Sequence, residues 1–244
     1  MTELPLGRLA RAAGAGRAPP AILRGRMRLP RLRPALLTAT AALALASAGC
    51  GGAATPDRPE LEARLVLAGR AQALDAPIAT AVERGFDGAE GVHFVVRQGR
   101  GPTAGAAAVK AGRAEFAAVP AEQLTGERAL VGIMALANEP DGDRAPTLVL
   151  ATDRRDLEDD PSLARAAVRA LLRSYESALT DPASSLSDLQ AMFPGLDRRR
   201  LEADFDAGED RLFPPGRQLG ALPQGDPRYD AAIVPAVAAT NHTS

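Results

Sequence analysis

From Glu60 onward, short β-like runs alternate with helical stretches, and this alternation confines the chain to an α/β architecture with a mainly parallel sheet. Residues 64–68 form the first expected strand. Asp75 is placed to cap a helix over 76–84, with Pro77 tolerated in the first turn and Gly85 at the end. Residues 92–97 are a second strand, 103–111 a helix stopped by Gly112, 115–119 a third strand, and 120–124 a short helical turn. A fourth strand over 130–136 and a fifth over 147–151 flank the turn 138–143. Beyond them the pattern is helical. Asp160-Pro161 and Asp181-Pro182 each place a cap before a helix-opening proline. Leu163, Ala167, Leu171, Tyr175 and Leu179 recur every four residues, and Leu186, Leu189 and Phe193 fill a further helix that Pro194-Gly195 breaks. Leu201 and Phe205 mark a last helix.

The first fifty residues follow different rules. Arg28, Arg31 and Arg33 precede an apolar run over 35–46, then Ser47-Ala48-Gly49 and the single cysteine, Cys50. A basic start, a short apolar stretch and small residues before a cut make up a secretory signal. A dozen apolar residues rise about 18 Å as a helix, short of the roughly 30 Å hydrocarbon core. The expected organisation is a signal over 1–49 with Met27 as an alternative start, a Gly/Ala/Pro tether over 50–59, a folded lobe over 60–213 and an irregular tail over 214–244. The competing reading is a basic arm ahead of a buried free cysteine.

Residues 1–49 carry eight of the 29 basic residues and one of the 30 acidic ones, so the remainder is acidic, 21 against 29. That balance argues against nucleic acid as a partner. One cysteine excludes an internal disulfide, and the absence of tryptophan leaves little stacking surface. No nucleophile elbow, phosphate loop or metal-ligand spacing occurs, and the histidines, His93 and His242, are isolated. The expectation is a chain without catalytic residues, cofactor or metal. Asp156, Glu158, Asp159 and Asp160 resemble a cation site and serve equally well as dipole-complementing charge beside a helix start.

Open α/β sheets bind ligands at the carboxyl ends of their strands. This selects the loops 69–75, 99–103 and 120–123. Arg70, Gln72, Asp75, Thr103 and Glu122 are the candidate ligand-binding residues, and Asp75 and Thr103 equally suit plain helix caps.

Three stretches carry a resemblance: Asp75-Ala-Pro-Ile-Ala-Thr-Ala-Val-Glu-Arg-Gly-Phe86 leading to Glu90-Gly-Val-His-Phe-Val-Val96; Gly99-Arg-Gly-Pro-Thr103 followed by Ala111-Gly-Arg-Ala-Glu-Phe-Ala-Ala-Val-Pro120; and the helical run from Asp160 with Tyr175 and Asp181-Pro182. Their order resembles the type II periplasmic solute-binding proteins of ABC importers, in the branch for thiamine-pyrimidine precursors, nitrate, sulfonates and taurine. The segment ending at Cys50 resembles a bacterial lipoprotein signal, with Ser47 where an aliphatic residue is usual. The resemblance implies a single binding-protein-like lobe, a mostly parallel five-stranded sheet flanked by helices, with the C-terminal helices on the same lobe. It also implies a small-molecule ligand, an ABC permease partner and a lipid anchor through Cys50 on the outer side of the cytoplasmic membrane. The family inserts a second lobe between strands four and five, where this chain has about ten residues. A one-lobed envelope lipoprotein serving as an interaction or scaffold module is therefore the alternative.

Overall fold

The computed structural model describes residues 61–139 and 146–236. The signal, the tether, Cys50, His242 and most of the turn after Asn138 lie outside them. The described residues form one α/β lobe. Its elements are β1 (Leu61–Val66), α1 (Ala76–Glu83), α2 (Phe86–Ala89), β2 (Val92–Arg97), α3 (Ala104–Lys110), β3 (Phe116–Pro120), β4 (Leu130–Asn138), β5 (Pro146–Asp153), α4 (Arg154–Asp159), α5 (Ser162–Thr180), α6 (Pro182–Met192) and α7 (Arg198–Leu212). Short 3-10 turns sit at Ala73–Asp75 and Ala121–Leu124.

The strand order is β2-β1-β3-β5-β4. β1 pairs in parallel with β2 and β3, while β5 runs antiparallel to both β3 and β4. Four strands thus point one way and β5 returns between two of them, the mostly parallel five-stranded sheet expected from the sequence. Only seven residues separate β4 from β5, so no second lobe intervenes there.

Period-two alternation divides the strands between two cores. Leu65, Phe94, Phe116, Ile133 and Leu150 face one side, where α1, α5, α6 and α7 cover them. Ala117, Val119, Leu130, Val149 and Ala151 face the other, where they meet Ala106 and Val109 of α3 together with Leu222 and Tyr229. β4 is buried from Leu130 to Asn138, which is why it reads as an unbroken apolar run. Tyr175 of α5 is 1% exposed and its hydroxyl donates to the Leu136 carbonyl at 2.7 Å, spending its one polar atom inside the core.

Several local readings are modified. Leu179 ends the expected apolar stripe of α5 yet is 48% exposed, because a strict four-residue step drifts about 40° per step around a helix of 3.6 residues per turn and carries the last position off the core face. Asp75 precedes α1 without capping it: its carboxylate turns back to the Gln72 amide. Thr103 begins α3 with no side-chain cap bond. Asp181 does cap α6, accepting from the Ser184 amide at 3.1 Å, and Asp160 accepts from the Ser162 amide at 2.9 Å. α2 and α4 are additional short helices.

Residues 214–236 have little regular structure but cross the outer edge of β4 as a strap. The Gly132 amide donates to Arg228 O at 3.0 Å, the Asp230 amide to Gly132 O at 2.9 Å, and the Ala135 amide to Gly220 O at 2.9 Å. A Cβ on Gly132 would lie 2.8 Å from Tyr229 Cδ1, so glycine is what lets the tyrosine ring seat against the strand. At the opposite edge the Asp87 carboxylate, 3% exposed, accepts the outward Phe94 amide of β2 at 2.9 Å and the Gly88 amide at 2.8 Å. The row of unpaired groups that an edge strand presents is thereby reduced on both margins.

Candidate functional site

The carboxyl ends of β1 and β2 are tied together before they reach the site. The Leu67 amide donates to Arg97 O at 2.8 Å and the Gly99 amide to Gly69 O at 3.0 Å. Gly99 comes so close to the Leu67 carbonyl that any side chain there would collide with it. Past this clasp the two loops form one wall of a cavity of about 720 Å³, lined on that side by Arg70, Ala71, Gln72 and Gln98.

The other wall is the corner between α6 and α7. Pro194-Gly195 ends α6, and Gln190 Nε2 donates to Leu196 O at 3.0 Å, folding the turn back on its own helix. Asp197 then caps α7, accepting from the Arg200 amide at 2.8 Å. Phe193, Leu196 and Leu201 supply apolar surface, and Asp197, Arg200 and Asp204 supply charge. Arg200 and Asp204 are one turn apart and 3.6 Å from each other, an exposed pair worth little to stability. Arg70 is exposed and has no ion-pair partner among the described residues. The cavity therefore presents one free guanidinium and two carboxamides opposite an apolar patch that carries two carboxylates and one guanidinium. Such a lining holds a small organic molecule by its apolar part and orients it through one anionic or hydrogen-bonding group.

Asp75 belongs to the same loop but lies behind the wall. It is 3% exposed, its Oδ2 accepts the Gln72 amide at 2.9 Å, and burial pushes its ionisation up to about 7, partly offset by that hydrogen bond.

The sequence candidates thus divide. Arg70 and Gln72 line the cavity, and Asp75 supports them. Thr103 and Glu122 are exposed at the starts of α3 and of the turn after β3, whose neighbours Ala106, Ala121 and Leu124 pack on the other face of the sheet. They are not brought together with Arg70. Gln98 and the whole α6–α7 wall were not among the candidates. The signal for that wall was the Pro194-Gly195 break with an aspartate two residues on, which reads as a helix boundary and does not reveal what it faces. His93 is solvent-facing on β2, 3.9 Å from Asp87. Among the described residues no helix is long and apolar enough to cross a membrane.

No family model and no curated protein matches the chain. Among solved structures, a protein from Bordetella bronchiseptica RB50 aligns with a TM-score of 0.59 at 10% identity over 75% of this chain and 99% of that one. A Candida albicans gene product, described as exhibiting the generic periplasmic binding protein fold, gives a TM-score of 0.49 at 5% identity over 76% of this chain and 91% of that one. The alkanesulfonate-binding protein of Xanthomonas axonopodis pv. citri, bound to MOPS, gives 0.49 at 8% identity over 75% and 91%. At ten per cent identity, the likeness to the Bordetella structure is one of fold.

Proposed function

We propose that this chain is an extracytoplasmic solute-binding protein, held to the outer side of the cytoplasmic membrane through an acylated Cys50 and serving an ABC importer of a small organic or anionic nutrient. The observation that carries the reading is the cavity at the carboxyl ends of β1 and β2, where Arg70, Gln72 and Gln98 face the apolar α6–α7 corner. A site built for capture needs burial and orientation and no reacting group, and this lining offers the first two. Of the ligands of the branch named by the sequence resemblance, sulfonates and pyrimidines join an apolar part to an anionic or hydrogen-bonding group, as this lining requires.

The seven-residue connection between β4 and β5 favours a second reading, in which the lobe is an envelope interaction module that has no transport role. A thermal-shift screen of the full chain against alkanesulfonates, nitrate, pyrimidines and amino acids separates the two. A ligand at one hundred times its Kd stabilises the native state by about 2.7 kcal/mol. The proposal requires a compound that raises the midpoint in the parent and fails to do so in Arg70→Ala. A screen in which nothing shifts the midpoint removes the transport reading and leaves the interaction module.

A further inference from the structure

Asp75 sits where the two walls of the cavity are joined. Its carboxylate receives the amide of Gln72, a cavity residue, and among the described residues that amide is the one donor it has. The turn that contains it, Ala73–Asp75, packs on α7, which carries the opposite wall: a Cβ on Gly208 would lie 2.8 Å from Leu74 Cδ2. Displacing this turn therefore moves the loop that bears Arg70 and Gln72 away from α7.

A carboxylate with one donor and no cation is poorly compensated once removed from water. Among the described residues, the surrounding elements supply no cation. From α5 comes Tyr175, whose hydroxyl is committed to Leu136 O and whose own ionisation burial drives far upward. From α6, Asp188 is bound by Arg84 and by Thr80 of α1. On α7 the charged residues flanking Gly208, namely Asp204, Asp206, Glu209 and Asp210, are exposed, as is Arg70 on the loop itself.

We propose that Asp75 is a proton-operated latch on the strand-end wall of the cavity: protonated, it leaves the turn seated against α7, and ionised, it favours release of the loop 69–75 into solvent, which opens the cavity. The sign follows from linkage. The seated loop keeps its proton up to about 7, whereas a solvated aspartate loses it near 3.9. Opening becomes about tenfold more favourable for each pH unit between those values and levels off above them. The latch would release solute as the surroundings turn from acidic to neutral. Only that last consequence rests on the proposed function; the latch is a property of the loop and is tested without a ligand.

The test is amide hydrogen exchange on the full chain from pH 5 to 8, corrected for intrinsic rates, in the parent and in Asp75→Asn, together with the carboxyl carbon resonance of Asp75 in the parent. The hydrogen-bonded amides of Gln72, Asp75 and Gly99 should lose protection about tenfold per pH unit between 5 and 7 in the parent. In Asp75→Asn their protection should be independent of pH, and in both chains the β4 and β5 amides should stay protected. Parallel profiles in the two chains would overturn the proposal, as would a loss shared equally by the strands. If the variant fails to fold, the parent resonance decides: a midpoint near 7 that tracks the loop amides supports the latch, and one near 4 ends it. A ligand screen with no hits leaves the latch standing and removes only the transport reading.

Discussion

The two faces of the sheet are buried by different means. On one, four helices lay amphipathic sides over Leu65, Phe116 and Leu150, and the helix α5 alone contributes Ala167, Val168, Leu171, Leu172 and Tyr175. On the other, a seven-residue helix and an irregular strap do the work, and the decisive contact is a single tyrosine ring seated on a glycine. Periodic sequence builds the first face through many equivalent contacts. The second depends on a few singular ones, so equal burial conceals unequal tolerance to change.

Truncation tests most directly whether one strap contact carries as much as a core position of the helical face. Leu171→Ala, at a position with no exposure, should cost about 2–5 kcal/mol in chemical denaturation, and Tyr229→Ala on the strap should cost as much. A Tyr229→Ala cost below about 1 kcal/mol would mean the strap is an accessory and the comparison fails. Next in size, Gly132→Ala should cost about 1–3 kcal/mol through overpacking against the ring, and should be close to neutral in a Tyr229→Ala background, a double-mutant cycle with a large coupling energy.

Asp75→Asn probes the helical face through pH. The native ionisation of Asp75 is raised to about 7, so its contribution to stability is fully present below the unfolded value and is lost as pH rises through 7. Replacing it should stabilise the chain at pH 8 relative to pH 5, compared with the parent, by on the order of 2 kcal/mol in paired denaturation curves. Equal differences at both pH values would sink that assignment. Smaller still, Tyr229→Phe should be neutral or stabilising by about 1 kcal/mol, because the buried hydroxyl of Tyr229 has no partner among the described residues. Arg70→Ala should leave the unfolding free energy within about 0.5 kcal/mol of the parent, as expected for an exposed residue whose role is at the cavity.

The same contrast governs what the sequence makes legible. The order of the strands and longer helices, the Asp181 cap and the apolar spacing of α5 as far as Tyr175 were readable, because each is set by neighbours a few positions apart. The strap was not, since residues 214–236 carry proline and glycine and no period, and their burial is fixed by β4 some 85 to 98 positions upstream. The cavity divides likewise. The loop of Arg70 and Gln72 follows from the rule that strand ends bear sites. The wall of Phe193 to Asp204 follows only once α6 and α7 are folded back over α1 and the turn beside it. Thr103 and Glu122 satisfy the strand-end rule too, but their strand and helix lead to the other face of the sheet, and no local signal records on which side a crossover passes.

Leu61 opens β1 at the foot of the sheet, and Arg70 stands beyond its head, six strand residues or on the order of 20 Å away. The described lobe therefore begins at one end of the sheet and bears its hollow at the other, so a contact made at Leu61 leaves the hollow open.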